Sequence, residues 1–203
     1  MTANREAYAE GRIQALLAAI EEAGQRGSRK PLLVAIDGRC ASGKSTIAAA
    51  LAERLGATLI HMDDFFLRPE QRSEERLAIP GENIDHERFL AEVLLPLREG
   101  STVTYRPFSC ARQALGEAVE AAVTPIVIIE GSYALHPRLR GMYDLRIFFT
   151  VDPGQQLSRL EKRNPAFLSS FKERWIPLEE AYFSACGVSR GAQIIVNTSE
   201  EHK

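Results

Sequence analysis

Leu32-Leu33-Val34-Ala35-Ile36 runs through Asp37 into Gly38-Arg39-Cys40-Ala41-Ser42-Gly43-Lys44-Ser45, an apolar stretch joined to the pattern G-x-x-x-x-G-K-[ST]. The apolar run shows no polar alternation, as expected of a strand covered on both faces of a parallel sheet. Helical spacing resumes at once, with Ile47, Leu51 and Leu55 on one face of residues 44–55. The order strand, Gly-rich turn, helix is the context in which this pattern cradles phosphate. Gly38 and Gly43 permit backbone conformations that aim successive N–H groups inward, Ala41 and Ser42 complete the cradle, and the helix start adds its positive end. Lys44 reaches the β and γ phosphates as a point charge, the Ser45 hydroxyl suits a Mg²⁺ ion bridging them, and Thr46 is a second contact near the α-phosphate. The pattern therefore predicts ATP and Mg²⁺ as cofactors.

Working outward, residues 4–23 predict a packing helix, because Ile13, Leu16, Leu17 and Ile20 recur at offsets of three and four and residues 24–28 break the pattern. Residues 58–61 predict a second short strand. Residues 62–83 turn polar and irregular, with Pro69, Pro80 and Gly81, and read as a long functional loop. Residues 86–98 predict a helix, 101–106 and 118–123 short strands, and 125–129 a buried strand closed by Glu130 and Gly131. Strand 145–151, helices 153–163 and 165–185, and strand 193–196 complete the chain. The expected fold class is α/β, a three-layer P-loop NTPase fold with a mainly parallel sheet flanked by helices. Its expected organisation is a single domain over 1–203, with a substrate-binding excursion at about 62–122 and a lid at about 155–175.

The 203 residues suffice for one substantial core, and 45% hydrophobic with 26% charged residues is an ordinary globular mix. A formal net charge of -2 gives no global reason to expect nucleic acid or an anionic membrane as partner. No apolar run is long enough to span a bilayer, and the N-terminal residues do not read as a secretion signal, so the expected address is cytoplasmic. Self-association is left open. Cys40, Cys110 and Cys186 lack C-x-x-C spacing and read as isolated reduced thiols. Cys40 lies inside the phosphate loop, so its modification is expected to block the site and ATP to protect it. The histidines at 61, 86, 136 and 202 show no metal-ligand spacing with the cysteines and read as satisfied or surface groups. Trp175, Tyr182 and Phe183 fall at helical offsets that suit core packing.

Acidic groups supply the remaining chemistry. Asp63 and Asp64 follow the second strand, and a carboxylate at a strand's carboxyl end opens into the phosphate crevice of a doubly wound sheet. One of them can orient an acceptor hydroxyl and take its proton, while the other positions Mg²⁺ through water; a helix N-cap is the alternative use of the pair. Glu130 arrives at another strand end, as a Mg²⁺ or substrate ligand. Arg159, Lys162 and Arg163 end a helix, either as a solvated charged face or as a lid that clamps phosphates.

With this loop, Asp63-Asp64-Phe65-Phe66, Asn83-Ile84-Asp85-His86 and Glu130-Gly131 in this order, the chain resembles the uridine kinase and phosphoribulokinase group of P-loop kinases over about residues 30–165. The resemblance implies an ATP-dependent transfer to a hydroxyl of a small-molecule acceptor. It implies Asp63 as the catalytic carboxylate, Asp85 as a ribose ligand, and Arg159 and Arg163 as lid arginines acting with Lys44. Tyr105 stands where the group's Tyr-Asp-Phe segment contacts substrate, but residues 105–110 contain none of the histidine that uridine kinases use to read the pyrimidine. Uridine or cytidine is the first acceptor implied. Pantothenate, nicotinamide riboside, glycerate and sugar phosphates are the alternatives within the same structural group, and Arg68, Arg72, Arg106 or Arg112 would favour a charged one. A nucleotide-hydrolysing switch without acceptor is the reading from a different class.

Overall fold

The strands β1 (Leu32–Gly38), β2 (Thr58–His61), β7 (Ile126–Glu130), β8 (Leu145–Thr150) and β9 (Ile194–Asn197) pair in parallel in the order β2-β7-β1-β8-β9. This is a computed structural model, and it describes residues 2–27 and 31–199. Every residue of β1 is buried, which accounts for its unalternated sequence. Its side chains alternate between two cores. Leu33 and Ala35 face one that contains Phe65, Phe89, Tyr133 and Tyr182, while Val34 and Ile36 face another that contains Ile13, Leu16, Ile20, Ile47 and Leu51. Helices therefore cover both faces of the sheet, and the chain has the α/β P-loop fold.

The second core is made by α1 (Thr2–Arg26) and α2 (Lys44–Leu55). The expected break after residue 23 falls later, at the end of α1, and Ser28 lies outside the described residues. The other face carries a helical run, α4 (His86–Phe89), a π-type turn (Leu90–Leu94) and α5 (Leu95–Glu99). The expected helix over 165–185 is likewise broken. After α6 (Pro153–Arg163) come a 3₁₀ turn (Pro165–Phe167), α7 (Leu168–Ser170), a π-type turn (Phe171–Trp175) and α8 (Ile176–Ala185). Both π-type turns precede a proline, Pro96 or Pro177. Proline lacks the N–H that would bond back along the helix, and its ring crowds the carbonyl four residues earlier, so the ladder loosens there.

Residues 62–83 are less irregular than expected, with a 3₁₀ turn at Met62–Phe65, another at Pro69–Gln71 and α3 (Glu74–Ala78), capped by the Ser73 side chain. The remainder of the excursion forms two small antiparallel pairs, β3 (Val103–Tyr105) with β6 (Val119–Ala121) and β4 (Phe108–Ser109) with β5 (Ala114–Leu115). Short segments leave carbonyls unbonded, and arginines supply the donors. Arg72 donates to Leu67 O, Arg76 to Glu82 O and Ile84 O, Arg88 to Asp64 O and Arg106 O, and Arg106 to Gly116 O. After a final short helix, α9 (Val188–Gly191), the chain enters β9. Among the described residues no helix is long and apolar enough to cross a membrane.

Candidate active site

Parallel register brings the carboxyl ends of three strands together. β7 lies between β2 and β1, so Glu130 is level with His61 on one side and Ile36 on the other. Ligands of open α/β sheets gather at such strand ends. Gly131 makes the close approach possible: its φ is 145°, and an added Cβ would stand 2.8 Å from Met62 Cβ and 3.4 Å from Asp63 Oδ1. Gly38 is still tighter, since a Cβ there would overlap the Phe149 backbone of β8.

The phosphate loop is gripped from outside by side chains far along the sequence. Glu179 of α8 accepts the Cys40 N–H at 3.0 Å, and Gln156 of α6 donates to Cys40 O at 3.0 Å. Arg159 donates to Ala41 O at 3.2 Å, and the Thr198 hydroxyl donates to Ser42 O at 2.8 Å. Ala41 is held in the left-handed region at φ 57°, unusual for a residue with a Cβ. Beyond it, the N–H groups of Gly43, Lys44 and Ser45 meet no acceptor among the described residues, and Gly43 at φ 84° starts α2 without a side-chain cap. These donors and the positive end of α2 form an anion-binding concavity. Among the described residues, the loop's Ser42 hydroxyl is buried without a partner, and the one hydrogen bond of the Lys44 side chain is a long 3.5 Å contact to Arg39 O. Thr46 follows in the first turn of α2.

Ser45 Oγ donates to Glu130 Oε1 at 2.8 Å, and Glu130 Oε2 meets His61 Nδ1 at 3.1 Å. The bonds from His61 and Ser45 and the charge of Lys44 outweigh burial and hold the Glu130 carboxyl below its ordinary range; the bond to Glu130 raises His61. A hydroxyl and an ionised carboxylate side by side are hard oxygen donors of the kind Mg²⁺ takes, so the residues fit the ion expected from the sequence. Asp63 opens to solvent within the crevice although protein surrounds it on most sides. That enclosure raises its carboxyl above the ordinary value, Lys44 opposes the rise, and Glu130 and Glu179 add to it.

Other expected residues are engaged elsewhere. Asp64 accepts from Tyr105 Oη at 3.2 Å, so neighbours in one 3₁₀ turn take different tasks. Asp85 is buried, accepting the Arg88 N–H as the cap of α4 and Gln71 Nε2 at 2.8 Å. Arg159 donates to the loop backbone at Ala41 O and to Thr198, whereas Arg163, one turn on, is exposed. Arg72 and Arg106, expected to draw a charged acceptor, are bonded to backbone carbonyls. Trp175 is 38% exposed, with ring contacts to Phe167 and Phe171, contrary to its expected core role; Tyr182 and Phe183 are buried as expected. Cys40 is also buried, and burial with the nearby Glu179 pushes its thiol up to about 12, which opposes the reactivity expected of it.

The sequence pattern gave no sign of Asp37, Glu179 or Tyr182. Asp37 is fully buried and accepts from the N–H groups of Gly38, Tyr133 and Leu135 and from Tyr182 Oη, tying β1 to the turn after β7 and to α8. Its position beside Gly38 and the Glu179/Tyr182 spacing on one helix face were the available signals. Glu82, His86 and His136 also meet, their ligand atoms within 4.8 Å of one another. The two rings stack at 13°, so their lone pairs do not converge; the Arg138 N–H occupies His136 Nδ1, and Arg76 sits 3.5 Å from Glu82. Glu82 bonds to His86, and His136 stacks on His86 and lies 3.7 Å from Glu82, so the trio packs two loops together with both rings engaged by protein. His202 lies outside the described residues.

No protein-family model matches the chain. It is 30% identical over 146 residues to uridine kinase-like protein 4 of Arabidopsis thaliana, covering 67% of this chain and 30% of the relative. It is 27% identical over 150 residues to uridine-cytidine kinase B of Dictyostelium discoideum, covering 68% of this chain and 60% of the relative. The match thus spans less than two thirds of the length of either. A solved structure described as a possible uridine kinase from Bacillus stearothermophilus shares the fold at TM-score 0.69 and 19% identity, over 92% of this chain and 97% of that one. In sequence the chain is similar to uridine kinase-like proteins, and in fold it is a P-loop kinase-like α/β chain.

Proposed function

We propose that the chain transfers the γ-phosphoryl group of ATP to a hydroxyl of a small molecule, with a pyrimidine nucleoside, uridine or cytidine, as the first acceptor to test. The observation that carries this reading is the meeting of Lys44, Ser45, Glu130 and Asp63 beside the open N–H groups of residues 43–45. The N–H groups and Lys44 would bind the phosphates. Ser45 and Glu130 would hold Mg²⁺, which when bound neutralises charge on the β and γ phosphates. Asp63 would orient the acceptor hydroxyl and accept its proton, a task suited to a carboxyl whose affinity for protons is raised by its surroundings. The exposed Arg163 would complete the charge stabilisation if the segment around residues 155–175 closes as a lid. In this reading residues 1–203 act as one kinase domain, with the excursion at about 62–122 receiving the acceptor. Three free thiols and a need for ATP fit a cytoplasmic site of action.

The relatives' descriptions as uridine or uridine-cytidine kinases support the first acceptor. Arg72 and Arg106 each spend part of their guanidinium donors on backbone carbonyls, so a charged acceptor such as a sugar phosphate or glycerate stays in the panel as an alternative. The test is ADP release from Mg²⁺-ATP, alone and with uridine, cytidine, nicotinamide riboside, pantothenate, glycerate or sugar phosphates. Stimulation by one acceptor, lowered ~10²- to 10⁴-fold in Asp63→Asn with ATP affinity kept, is the expected result. Acceptor-independent ADP release would replace the kinase reading with a nucleotide-driven switch, and no ATP binding would end both.

A further inference from the structure

The outer grip on the phosphate loop is uneven. Gln156, Arg159 and Thr198 all donate to carbonyl oxygens, whereas the Glu179 carboxylate of α8 accepts the Cys40 N–H. Glu179 is 6% exposed, and its second oxygen accepts from the Ser132 hydroxyl at 2.7 Å, just after Glu130 and Gly131. One carboxylate therefore links α8, the phosphate loop and the turn that follows the proposed Mg²⁺ ligand. Its neighbours on the same helix reinforce the link: Glu180 forms a bidentate pair with Arg39, and Tyr182 reaches Asp37. Cys40 is bonded through N–H and C=O to α8 and α6, which fixes the peptide before Ala41 and with it the left-handed turn there. A residue with a Cβ is disfavoured in that region and needs its surroundings to keep it there.

We propose that Glu179 is a positioning residue for the phosphate loop: by accepting the Cys40 N–H it holds the turn at Ala41 and so keeps the N–H groups of residues 43–45 aimed at a bound phosphate. It touches neither nucleotide nor acceptor in this role and acts through Cys40. The negative charge near Asp63 is a secondary consequence of the same placement. The inference rests on the reading of the loop as an ATP site, and measuring Mg²⁺-ATP binding directly separates the two.

Calorimetric titration of Mg²⁺-ATP into the full chain, with circular dichroism to establish equal folding, tests it. Glu179→Ala is expected to weaken binding by ~10- to 100-fold, as a displaced binding element does. Glu179→Gln is expected to stay within ~3-fold of the unsubstituted chain, because the amide oxygen still accepts from Cys40 and the amide N–H₂ can donate to Ser132. Unchanged affinity in Glu179→Ala would overturn the proposal, as would equal weakening in a folded Glu179→Gln, which would assign the effect to charge. Should Glu179→Ala fail to fold, the folded Gln variant decides alone: retained binding supports the hydrogen-bond role and lost binding overturns it. Failure of the unsubstituted chain to bind ATP would instead defeat the reading of the site.

Discussion

Ser45 Oγ and Glu130 Oε1 lie 2.8 Å apart although 85 positions separate them in the chain. One ends a phosphate loop and the other a strand, and only the insertion of β7 between β1 and β2 makes them neighbours. This relationship defines the proposed Mg²⁺ position and gives the first prediction.

Glu130→Gln keeps the size of the side chain and removes its charge. The expected outcome is a rise of about tenfold or more in the Mg²⁺ concentration needed for half-maximal turnover, with nucleotide affinity in the absence of Mg²⁺ little changed. A Mg²⁺ titration of ADP release measures it, and an unaltered midpoint would remove Glu130 from the site.

The same variant reports on His61. Glu130 raises the His61 imidazole above its ordinary 6.5, and in Glu130→Gln its titration should move back toward that value. His136, by contrast, is lowered to about 4 by burial and by the neighbouring His86. The raised His61 contributes stability that is fully present below pH 6.5 and is lost as pH rises through its folded value. His136 acts in the opposite sense: as pH falls from 6.5 toward about 4 the unfolded chain gains a proton that the folded chain refuses, and stability falls. Proton NMR of the imidazole rings tests both directions. A His136 that titrates near 6.5 would contradict the packing described for it.

Thiol labelling should single out Cys110. It is exposed, whereas Cys40 is buried with its thiol pushed up to about 12. Partial burial and the charge of Asp63 raise the Cys110 thiol, and Arg72 opposes the rise. A maleimide is expected to modify one cysteine rapidly, to lose that phase in Cys110→Ser, and to show no ATP protection at Cys40 because Cys40 does not react. Rapid labelling of Cys40 in the folded chain would show that the loop opens.

Gly131→Ala should destabilise the fold by about 1–3 kcal/mol, because φ 145° is strained for alanine and the added Cβ meets Met62. Chemical denaturation measures the loss. A variant of unchanged stability would mean that the turn after β7 can retreat from β2, and Asp63 with it.

The loop from Gly38 to Ser45 was legible because its function is local: backbone N–H groups and a helix start within eight consecutive residues make the anion site. The buried strands were legible for a similar reason, since burial on both faces leaves an unalternated apolar run. The broken helices were not, because prolines at 96 and 177 act on the hydrogen-bond ladder in ways the apolar spacing does not register. Which acid serves which purpose was also decided by tertiary structure. Asp63 and Asp64 are adjacent and chemically alike, yet one faces Lys44 and the other Tyr105. Charge and helix position left Arg159 open between a solvated face and a phosphate clamp, and only the crossing of α6 brings it against Ala41 O and Thr198. The role of Glu179 could not be read locally, since a hydrogen bond between residues 139 apart depends on how α8 packs across the sheet ends. Sequence by itself determined the chemistry available at the strand ends; the order of the strands and the packing of the C-terminal helices determined which groups share it, because direction and distance are properties of the folded chain.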